Sequence, residues 1–263
     1  MIAQDYIAEW GKFVPWVNPL HIEQDLIISR ILVEIFNHPK ISSTLAFRGG
    51  TALYKLFISP PKRYSEDIDL VQIQAGNIGE IMGALKEVIN PILGTPKWKL
   101  SAGRATLFYR FQPEEYPETT SKIKIEINTR EHFTILGFAR KPFEVASRWF
   151  TGETKIQTYQ LNELLGTKLR ALYQRRKSRD LFDMWVAMDH NEFEPAKIIN
   201  VFQKYMEHGN NKITKKIFEQ NLNEKMLSPE FTSDISPILA EGIKWDITKA
   251  ANQIKNNLLA LLT

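Results

Sequence analysis

The sequence predicts a mixed α/β domain followed by an α-helical domain, and three observations lead to this fold class. The apolar run 45–48 leads into the glycine pair 49–50 and then into helical spacing, so we expect a strand, a glycine turn and a helix in succession. The segment 122–128 alternates isoleucine with polar residues, which is typical of a strand with one buried face. The last part of the chain has helical apolar spacing almost throughout. We therefore expect an α+β domain with a mixed sheet over 1–158 and an α-helical domain over 159–263.

Composition indicates a globular protein with a sizeable core. The chain has 263 residues, a length that suits one large domain or two modest ones. Hydrophobic residues make up 43% of it and charged residues 24%, as in an ordinary globular protein. It contains no cysteine, and this excludes disulfides, thiolate zinc sites and cysteine nucleophiles. The net charge of +4 and the pI near 9.0 are compatible with a nucleic-acid partner but do not require one.

The sequence gives no sign of export or of membrane insertion. Its first residues, MIAQDYIAEWGKF, lack the basic and then apolar pattern of a signal peptide. No apolar run approaches the ~20 residues that a membrane helix needs. We therefore expect a cytoplasmic protein with no membrane partner.

The elements of the first domain follow from apolar spacing and from turn residues. Asn18 and Pro19 are typical of a helix start, and that helix is expected to end near Phe36. A helix over 77–90 is expected to stop at Pro91. The remaining elements are expected as a helix at 51–57 and as strands at 45–48, 67–72, 98–101, 105–111 and 122–128.

The sequence predicts an irregular segment before the second domain and helices within that domain. Residues 141–158 are expected to be irregular and to lead into a short strand at 155–159. The helices of the second domain are expected at 160–176, after an N-cap at Ser178, and at 195–208, 212–225 and 246–262.

Asp67 and Asp69 carry the clearest chemical signal in the sequence. Side chains alternate along a strand, so these two carboxylates point to one face while Ile68 and Leu70 anchor the other. Two carboxylates side by side repel each other unless a cation lies between them, and Mg²⁺ is the natural candidate for a site that also binds phosphates. Asp-x-Asp by itself is also common on exposed strands, so the neighbouring residues decide the interpretation.

The glycine pair supplies that context. Gly49, Gly50 and Thr51 follow a strand and open a helix. Such a junction presents backbone N–H groups and a helix N-terminus, which suit a chain of phosphates. A phosphate-binding helix start followed in the sequence by a carboxylate pair is typical of enzymes that transfer phosphoryl or nucleotidyl groups.

These motifs resemble a known signature. The glycine pair, sixteen intervening residues and Asp67-Ile68-Asp69-Leu70 resemble the signature of the DNA polymerase β nucleotidyltransferase superfamily. The fuller pattern, in which Gly-Gly-Thr-Ala-Leu and Arg63-x-Ser65 precede the acids, is similar to the AbiEii/AbiGii toxins of bacterial abortive-infection and toxin–antitoxin systems. That family also carries a lysine helix and an Arg-Asp-x-x-Asp segment, which this chain matches at 168–172 and 179–183. The resemblance implies a polymerase-β-like nucleotidyltransferase domain.

The resemblance also implies roles for individual residues. It implies catalytic roles for Asp67, Asp69, Lys168 and Asp180. Metal binding is implied for Asp67, Asp69 and Glu126. Nucleotide binding is implied for Gly49, Gly50, Thr51, Arg63, Ser65, Lys168, Arg179 and Asp183.

The residues themselves leave alternatives for several of these roles. Ser65 could donate to a phosphate or cap a turn, and Glu126 could be a third metal ligand or pair with Lys124. Lys168 lies on or beside an apolar helix stripe, where it could extend to solvent or serve a triphosphate. Acids such as Asp180 at a helix start are stabilising without any catalysis.

The function implied by the resemblance is Mg²⁺-dependent transfer of a nucleotide from an NTP to an RNA. The acceptor that the family implies is the 3′ end of tRNA, and the protein partner that it implies is a cognate antitoxin. Two alternatives remain open from the sequence. One is transfer to a protein or small molecule, and the other is a nucleotide-binding module without catalysis.

Overall fold

The computed structural model describes residues 2–262. The chain divides into two compact units. Unit 1 runs to Phe133 and resumes for Phe138–Tyr159, whereas unit 2 comprises Thr134–Gly137 and the chain from Gln160 onward. The segment Thr134–Gly137 thus belongs to unit 2 although it precedes the last strand residues of unit 1 in the sequence.

Unit 1 is built on a mixed β-sheet. Its strands are β1 Leu45–Arg48, β2 Ile68–Gln72, β3 Lys97–Ser101, β4 Arg104–Phe111, β5 Ser121–Asn128, β6 Phe138–Ala146 and β7 Thr151–Tyr159. They form a seven-stranded sheet in the order β3-β4-β5-β2-β1-β7-β6. The β2–β5 and β1–β7 pairs are parallel, and the other pairs are antiparallel. The predicted mixed sheet is thereby confirmed.

Helices cover one face of this sheet and form the core with it. They are α1 Gln4–Trp10, α2 Pro19–Asn37, α3 Pro39–Thr44, α4 Gly49–Leu56 and α5 Ile78–Leu93. The Asn18 side chain accepts a hydrogen bond from Leu20 N and caps α2, as the sequence predicted. The alternating isoleucines of β5, Ile123, Ile125 and Ile127, are fully buried against this helical layer. Their polar neighbours must therefore point to the opposite face.

Two expectations for unit 1 were wrong. Residues 141–158 are not irregular, because β6 and β7 pair along Phe138–Ala146 and Thr151–Tyr159. Pro142 concealed β6, but β6 is an edge strand, where a residue without an N–H is tolerated. The helix expected to stop at Pro91 continues to Leu93 and ends at Gly94, whose φ is +75°.

Unit 2 is α-helical, as predicted. Its helices are α6 Leu161–Gln174, α7 Ser178–Ala187, α8 Pro195–His208, α9 Lys215–Met226, α10 Pro229–Ser233 and α11 Ile247–Asn257, with short 3-10 turns at Ser236–Ile238 and Leu259–Leu261. Glu163 of α6 joins the segment 134–137 to this unit. Its carboxylate accepts hydrogen bonds from Thr134 Oγ1, Ile135 N, Leu136 N and the Tyr205 hydroxyl.

Within residues 2–262, no helix combines the length and the apolar character needed to cross a bilayer.

Candidate active site

The predicted metal ligands of unit 1 are brought together by strand pairing. Asp69 lies on β2, and its register partner on the parallel strand β5 is Glu126. Asp67 lies one residue before β2 and contacts Lys124 of β5. Lys124 and Glu126 lie on the face opposite the buried isoleucines, so the three acids share one face of the sheet. We call this face, which carries Asp67, Asp69 and Glu126, the acid-bearing face.

Basic side chains already balance part of this negative charge. Lys124 Nζ lies 2.8 Å from Asp67 Oδ2 and 3.7 Å from Glu126 Oε2. Arg104 Nε of β4 lies 3.2 Å from Glu126 Oε1. Burial would lower the pKa of Lys124, but the hydrogen bond and charge of Asp67 outweigh it and raise that pKa. Lys124 therefore stays protonated and acts as a resident cation among the acids.

Asp69 has a different environment. Burial, followed by the charge of Asp67, raises the pKa of Asp69 above its ordinary value. Arg48 and Lys124 oppose this rise without cancelling it. An additional cation would therefore stabilise the ionised form of Asp69.

Gly49 lies against the Asp69 carboxylate. The φ of Gly49 is +83°, a conformation that disfavours any other residue. A Cβ at this position would also come within 2.3 Å of Asp69 Oδ2. The antiparallel register of β1 and β2, which pairs Arg48 with Asp69, creates this close approach. The two halves of the predicted motif are therefore adjacent in space.

The predicted phosphate-binding helix start is that of α4. This helix begins at Gly49, and Arg48 at its N-cap position makes no side-chain cap hydrogen bond. The hydroxyl of Thr51 donates to Asp67 O at 2.5 Å and shares a 2.9 Å hydrogen bond with the Ser65 hydroxyl. Thr51 and Ser65 therefore fasten α4 to the segment that carries Asp67.

Arg63 lies in the loop that leads into β2. Only 2% of it is exposed, its Nη1 donates to Tyr64 O at 2.9 Å, and its guanidinium stacks 5.2 Å from the centre of the Tyr54 ring. These contacts fix the loop before β2, and the nucleotide-binding role predicted for Arg63 stays a prediction.

Sequence reasoning missed several groups around the acids. Arg48 Nη1 donates to Glu131 Oε2 at 2.9 Å, and Arg48 also contributes positive charge at Asp69. Arg104 was not predicted either. The contacts of Arg48 and Arg104 depend on the order of the strands in the sheet, and the sequence carries no direct signal for that order. The position of Arg48 directly before the glycine pair was the one available clue.

The other predicted residues lie in unit 2, where α6 and α7 meet. Lys168 Nζ of α6 lies 2.6 Å from Asp183 Oδ2 and 3.4 Å from Asp180 Oδ1 of α7. Arg175 adds two hydrogen bonds to Asp180, of 2.6 and 2.7 Å. Burial would raise the pKa of Asp180, but the charge of Lys168 and the hydrogen bond from Arg175 together lower it. Lys168, Asp180 and Asp183 thus form a buried ionic cluster.

Arg179 and Ser178 do not join this cluster. Arg179 Nε lies 3.8 Å from Asp234 Oδ2, and Lys177 Nζ lies 3.1 Å from Asp234 Oδ1. Ser178 was predicted to cap α7 from outside, but it is the first residue of the helix and Lys177 holds the cap position. The role predicted for Arg179 stays a prediction.

The donor set of the acid-bearing face is suited to a hard cation. Its potential ligands are carboxylate oxygens, which Mg²⁺ prefers, and the Lys124 ammonium already lies among them. Across residues 2–262, no three carboxylate or histidine side chains converge as a preformed metal cluster. The acids fit a metal ion in their chemistry, and the cation that lies among them in this structure is the Lys124 ammonium.

Comparison with solved structures identifies similar folds. MenT4, a nucleotidyltransferase toxin from Mycobacterium tuberculosis, matches with a TM-score of 0.60 and 13% identity over 100% of both chains. JHP933 from Helicobacter pylori matches with a TM-score of 0.59 and 17% identity over 92% of this chain and 91% of its own. At these identities the likeness shows the fold. Comparison of the sequence with curated proteins gives no significant match.

The family comparison covers most of the sequence. The family described as nucleotidyl transferase AbiEii toxin, type IV TA system, matches residues 30–253, a range that includes both the acid-bearing face and the ionic cluster of unit 2. This chain belongs to the AbiEii family of nucleotidyltransferase toxins of type IV toxin–antitoxin systems.

Proposed function

We propose that this toxin transfers a nucleotide from an NTP to the 3′ end of a tRNA in a Mg²⁺-dependent reaction. The observation that carries the proposal is the meeting of Gly49, at the start of α4, with Asp69 on the acid-bearing face. A helix start suited to phosphate thereby lies against a set of acids suited to a metal ion.

The acids of unit 1 would hold the metal. Asp69 would be the primary ligand, because Gly49 approaches its carboxylate directly and because burial and the charge of Asp67 raise its pKa, so that a cation would stabilise its ionised form. Asp67 and Glu126 complete the set once Lys124 moves away from them. When bound, the divalent ion supplies positive charge that stabilises the triphosphate and the departing pyrophosphate.

The start of α4 would hold the triphosphate. The first N–H groups of a helix have no partner within the helix, and here no side chain at the N-cap position satisfies them. Thr51 and Ser65 keep this helix start in a fixed position relative to Asp67. The hydroxyls of Thr51 and Ser65 already bind each other. In this proposal the two residues therefore orient the NTP indirectly, because they hold the start of α4 in place.

Lys168, Asp180, Asp183, Arg179 and Arg63 keep the roles that the resemblance implies. Lys168 is proposed to neutralise charge on the NTP, and Asp180 to orient or deprotonate the acceptor hydroxyl. In this role Lys168 exchanges its 2.6 Å contact with Asp183 for contact with the NTP. Cytoplasmic tRNA and a cognate antitoxin are the proposed partners.

The test is a transfer assay with matched variants. Purified protein is incubated with total tRNA, Mg²⁺ and each radiolabelled NTP in turn. Asp69→Asn keeps the shape of the side chain and removes its charge, so we expect at least a hundredfold loss of label transfer without loss of thermal stability. Glu118→Gln, an exposed position, is the control and is expected to remain active.

Each outcome assigns a function. Label in tRNA with wild type but not with Asp69→Asn supports the proposal. If the NTP is consumed and tRNA stays unlabelled, the acceptor is a protein or a small molecule. If the NTP binds and is never consumed with any divalent metal, the protein is a binding module and the proposal fails.

A further inference from the structure

Two rows of side chains cross the acid-bearing face from the edge of the sheet to the acids. In one row, Lys99 of β3 pairs with Thr106 of β4, which pairs with Glu126 of β5 and then Asp69 of β2. Directly paired residues of neighbouring strands share a face. Strands lie ~4.8 Å apart, so Lys99 lies roughly 14 Å from Asp69 along this row.

The adjacent row has the same direction. Lys97 of β3 pairs with Phe108 of β4, which pairs with Lys124 of β5, and Lys124 contacts Asp67. Lys122, two residues before Lys124, lies on the same face. The row therefore presents cations on both sides of an aromatic ring and ends at an acid.

The lysines at the outer end of this face are not used to stabilise the fold. Lys97, Lys99 and Lys122 are exposed, and in the part of the chain that the structure describes they make no ion pair. Lys124 and Arg104, nearer the acids, are engaged with Asp67 and Glu126. The described strands β3 and β4 add no carboxylate to this face.

From these rows we infer that the edge of the acid-bearing face binds the single-stranded 3′ end of the acceptor RNA and guides it toward Asp69. We call Lys97, Lys99, Phe108 and Lys122 the edge surface. Its lysines bind phosphates, and Phe108 provides a face on which a base stacks. The inference rests on the proposed function, because it assumes an RNA acceptor. The row spans roughly 14 Å from Lys99 to Asp69, a length that suits a few unpaired nucleotides.

Binding is tested with a short fluorescent single-stranded RNA that ends in a 3′ hydroxyl. Its affinity is measured by anisotropy over a series of salt concentrations with wild type and with Lys97→Ala/Lys99→Ala. Each phosphate contact on a single strand contributes ~0.7 to the slope of log affinity against log salt, so the double variant is expected to lower that slope by about 1.4. Lys12→Ala/Lys40→Ala removes the same charge beside the helices of unit 1 and is expected to leave the slope unchanged.

Phe108→Leu gives an independent arm. Loss of one stacked base is expected to weaken binding about fivefold or more, with the salt slope unchanged because no charge is removed. A Lys97/Lys99 variant that behaves like the Lys12/Lys40 control, or a Phe108 variant with wild-type affinity, overturns the inference.

Failure of the inference is distinguishable from failure of the proposed function. If wild type labels tRNA while the Lys97/Lys99 variant labels it equally well at subsaturating tRNA, the edge surface is not the acceptor path and the proposed function stands. If wild type itself labels no RNA and binds the oligonucleotide no better than the variants do, both fail. Retained binding of a fluorescent NTP by the variants shows that they are folded.

Discussion

At the residue scale, the close approach of Gly49 to Asp69 predicts that a larger residue at position 49 will displace the carboxylate. Gly49→Ala would place a Cβ within 2.3 Å of Asp69 Oδ2 at a φ of +83°. The carboxylate must move, so we expect at least a hundredfold loss of nucleotidyl transfer and a stability loss of about 1–2 kcal/mol from backbone strain. Transfer assays and urea unfolding measure the two effects separately.

Gly83 provides the control for this substitution. It lies in α5, and a Cβ there meets nothing within 4 Å. Gly83→Ala is expected to leave activity unchanged and to stabilise the protein by roughly 0.5–1 kcal/mol. An active Gly49→Ala variant would show that Asp69 is free to move without consequence.

The position of Lys124 between the acids leads to a second prediction at this scale, on stability and on the response to Mg²⁺. Lys124→Met removes the ammonium that lies between Asp67 and Glu126, so the acids repel and the metal-free protein loses about 1–2 kcal/mol of stability. In the proposed site Mg²⁺ competes with this ammonium, and the substitution removes that competition. Mg²⁺ is therefore expected to raise the melting temperature of the variant more than that of wild type, as measured by thermal unfolding with and without the ion.

Lys122→Met is the matched control on the same strand. Lys122 is exposed, and no carboxylate pairs with it in the described structure. Its response to Mg²⁺ is expected to equal that of wild type. An equal response of the Lys124 variant would mean that Lys124 does not compete with the metal.

The residues of the site were predictable in part. The spacing of the glycines and of Asp67 and Asp69 indicated both halves of the motif, because each half is local in sequence. The sequence alone did not decide between metal binding by Glu126 and its pairing with Lys124, because metal binding requires β5 to lie beside β2 and the order of the strands has no local signal. The structure shows the Lys124 contact together with a second one from Arg104.

At the element scale, the ionic cluster holds α6 against α7. Asp180 is fully buried and binds Lys168 and Arg175. Asp180→Asn leaves Lys168 with one fewer anion, and we expect a loss of roughly 3–5 kcal/mol at pH 7, measured by urea unfolding. Glu207→Gln, which breaks an exposed ion pair with Lys204, is expected to cost less than about 1 kcal/mol.

The same cluster predicts the pH dependence of stability. The folded state lowers the pKa of Asp180, so the unfolded state takes up a proton at higher pH than the folded state does. The stabilisation is present above the unfolded pKa of ~3.9 and is lost as pH falls through the folded pKa. The stability difference between wild type and Asp180→Asn is therefore expected to be constant from about pH 7 to 5 and to shrink below about pH 4. A constant difference at all pH values would contradict the ionic role.

Element boundaries were predicted best where apolar spacing was regular. The alternation in β5 gave its bounds almost unchanged, whereas β6 was missed because Pro142 and its charged neighbours resemble a loop. Hydrogen bonding to β7 is what makes that segment a strand, and pairing of this kind has no local signal. Residues 4–10 and 39–44 were likewise not predicted to be helical.

At the scale of the whole molecule, the chain passes between the two units three times, at 133–134, 137–138 and 159–160. The fold class was predictable, because the change from strand to helix spacing is strong. The assignment of 134–137 to unit 2 was not, because it rests on hydrogen bonds to a single distant side chain, Glu163.

The hydrogen bonds of Glu163 lead to a prediction of stability and of hydrogen exchange at this scale. Glu163→Ala removes the acceptor for Thr134, two backbone N–H groups and the Tyr205 hydroxyl, so we expect a stability loss of about 3 kcal/mol or more. Hydrogen exchange at Ile135 and Leu136 is expected to accelerate well beyond the change at β5. Unchanged exchange at these two amides would show that Glu163 does not hold the segment.

The position of Lys124 has a consequence for how the protein is made. A chain that supplies its own counter-ion to Asp67 and Glu126 can complete its sheet during synthesis before any metal arrives. In the proposed reaction, binding of the metal ion would then exchange one cation for another after folding is complete. Treatment with a chelator should accordingly yield a folded, dormant toxin that regains activity when Mg²⁺ is restored.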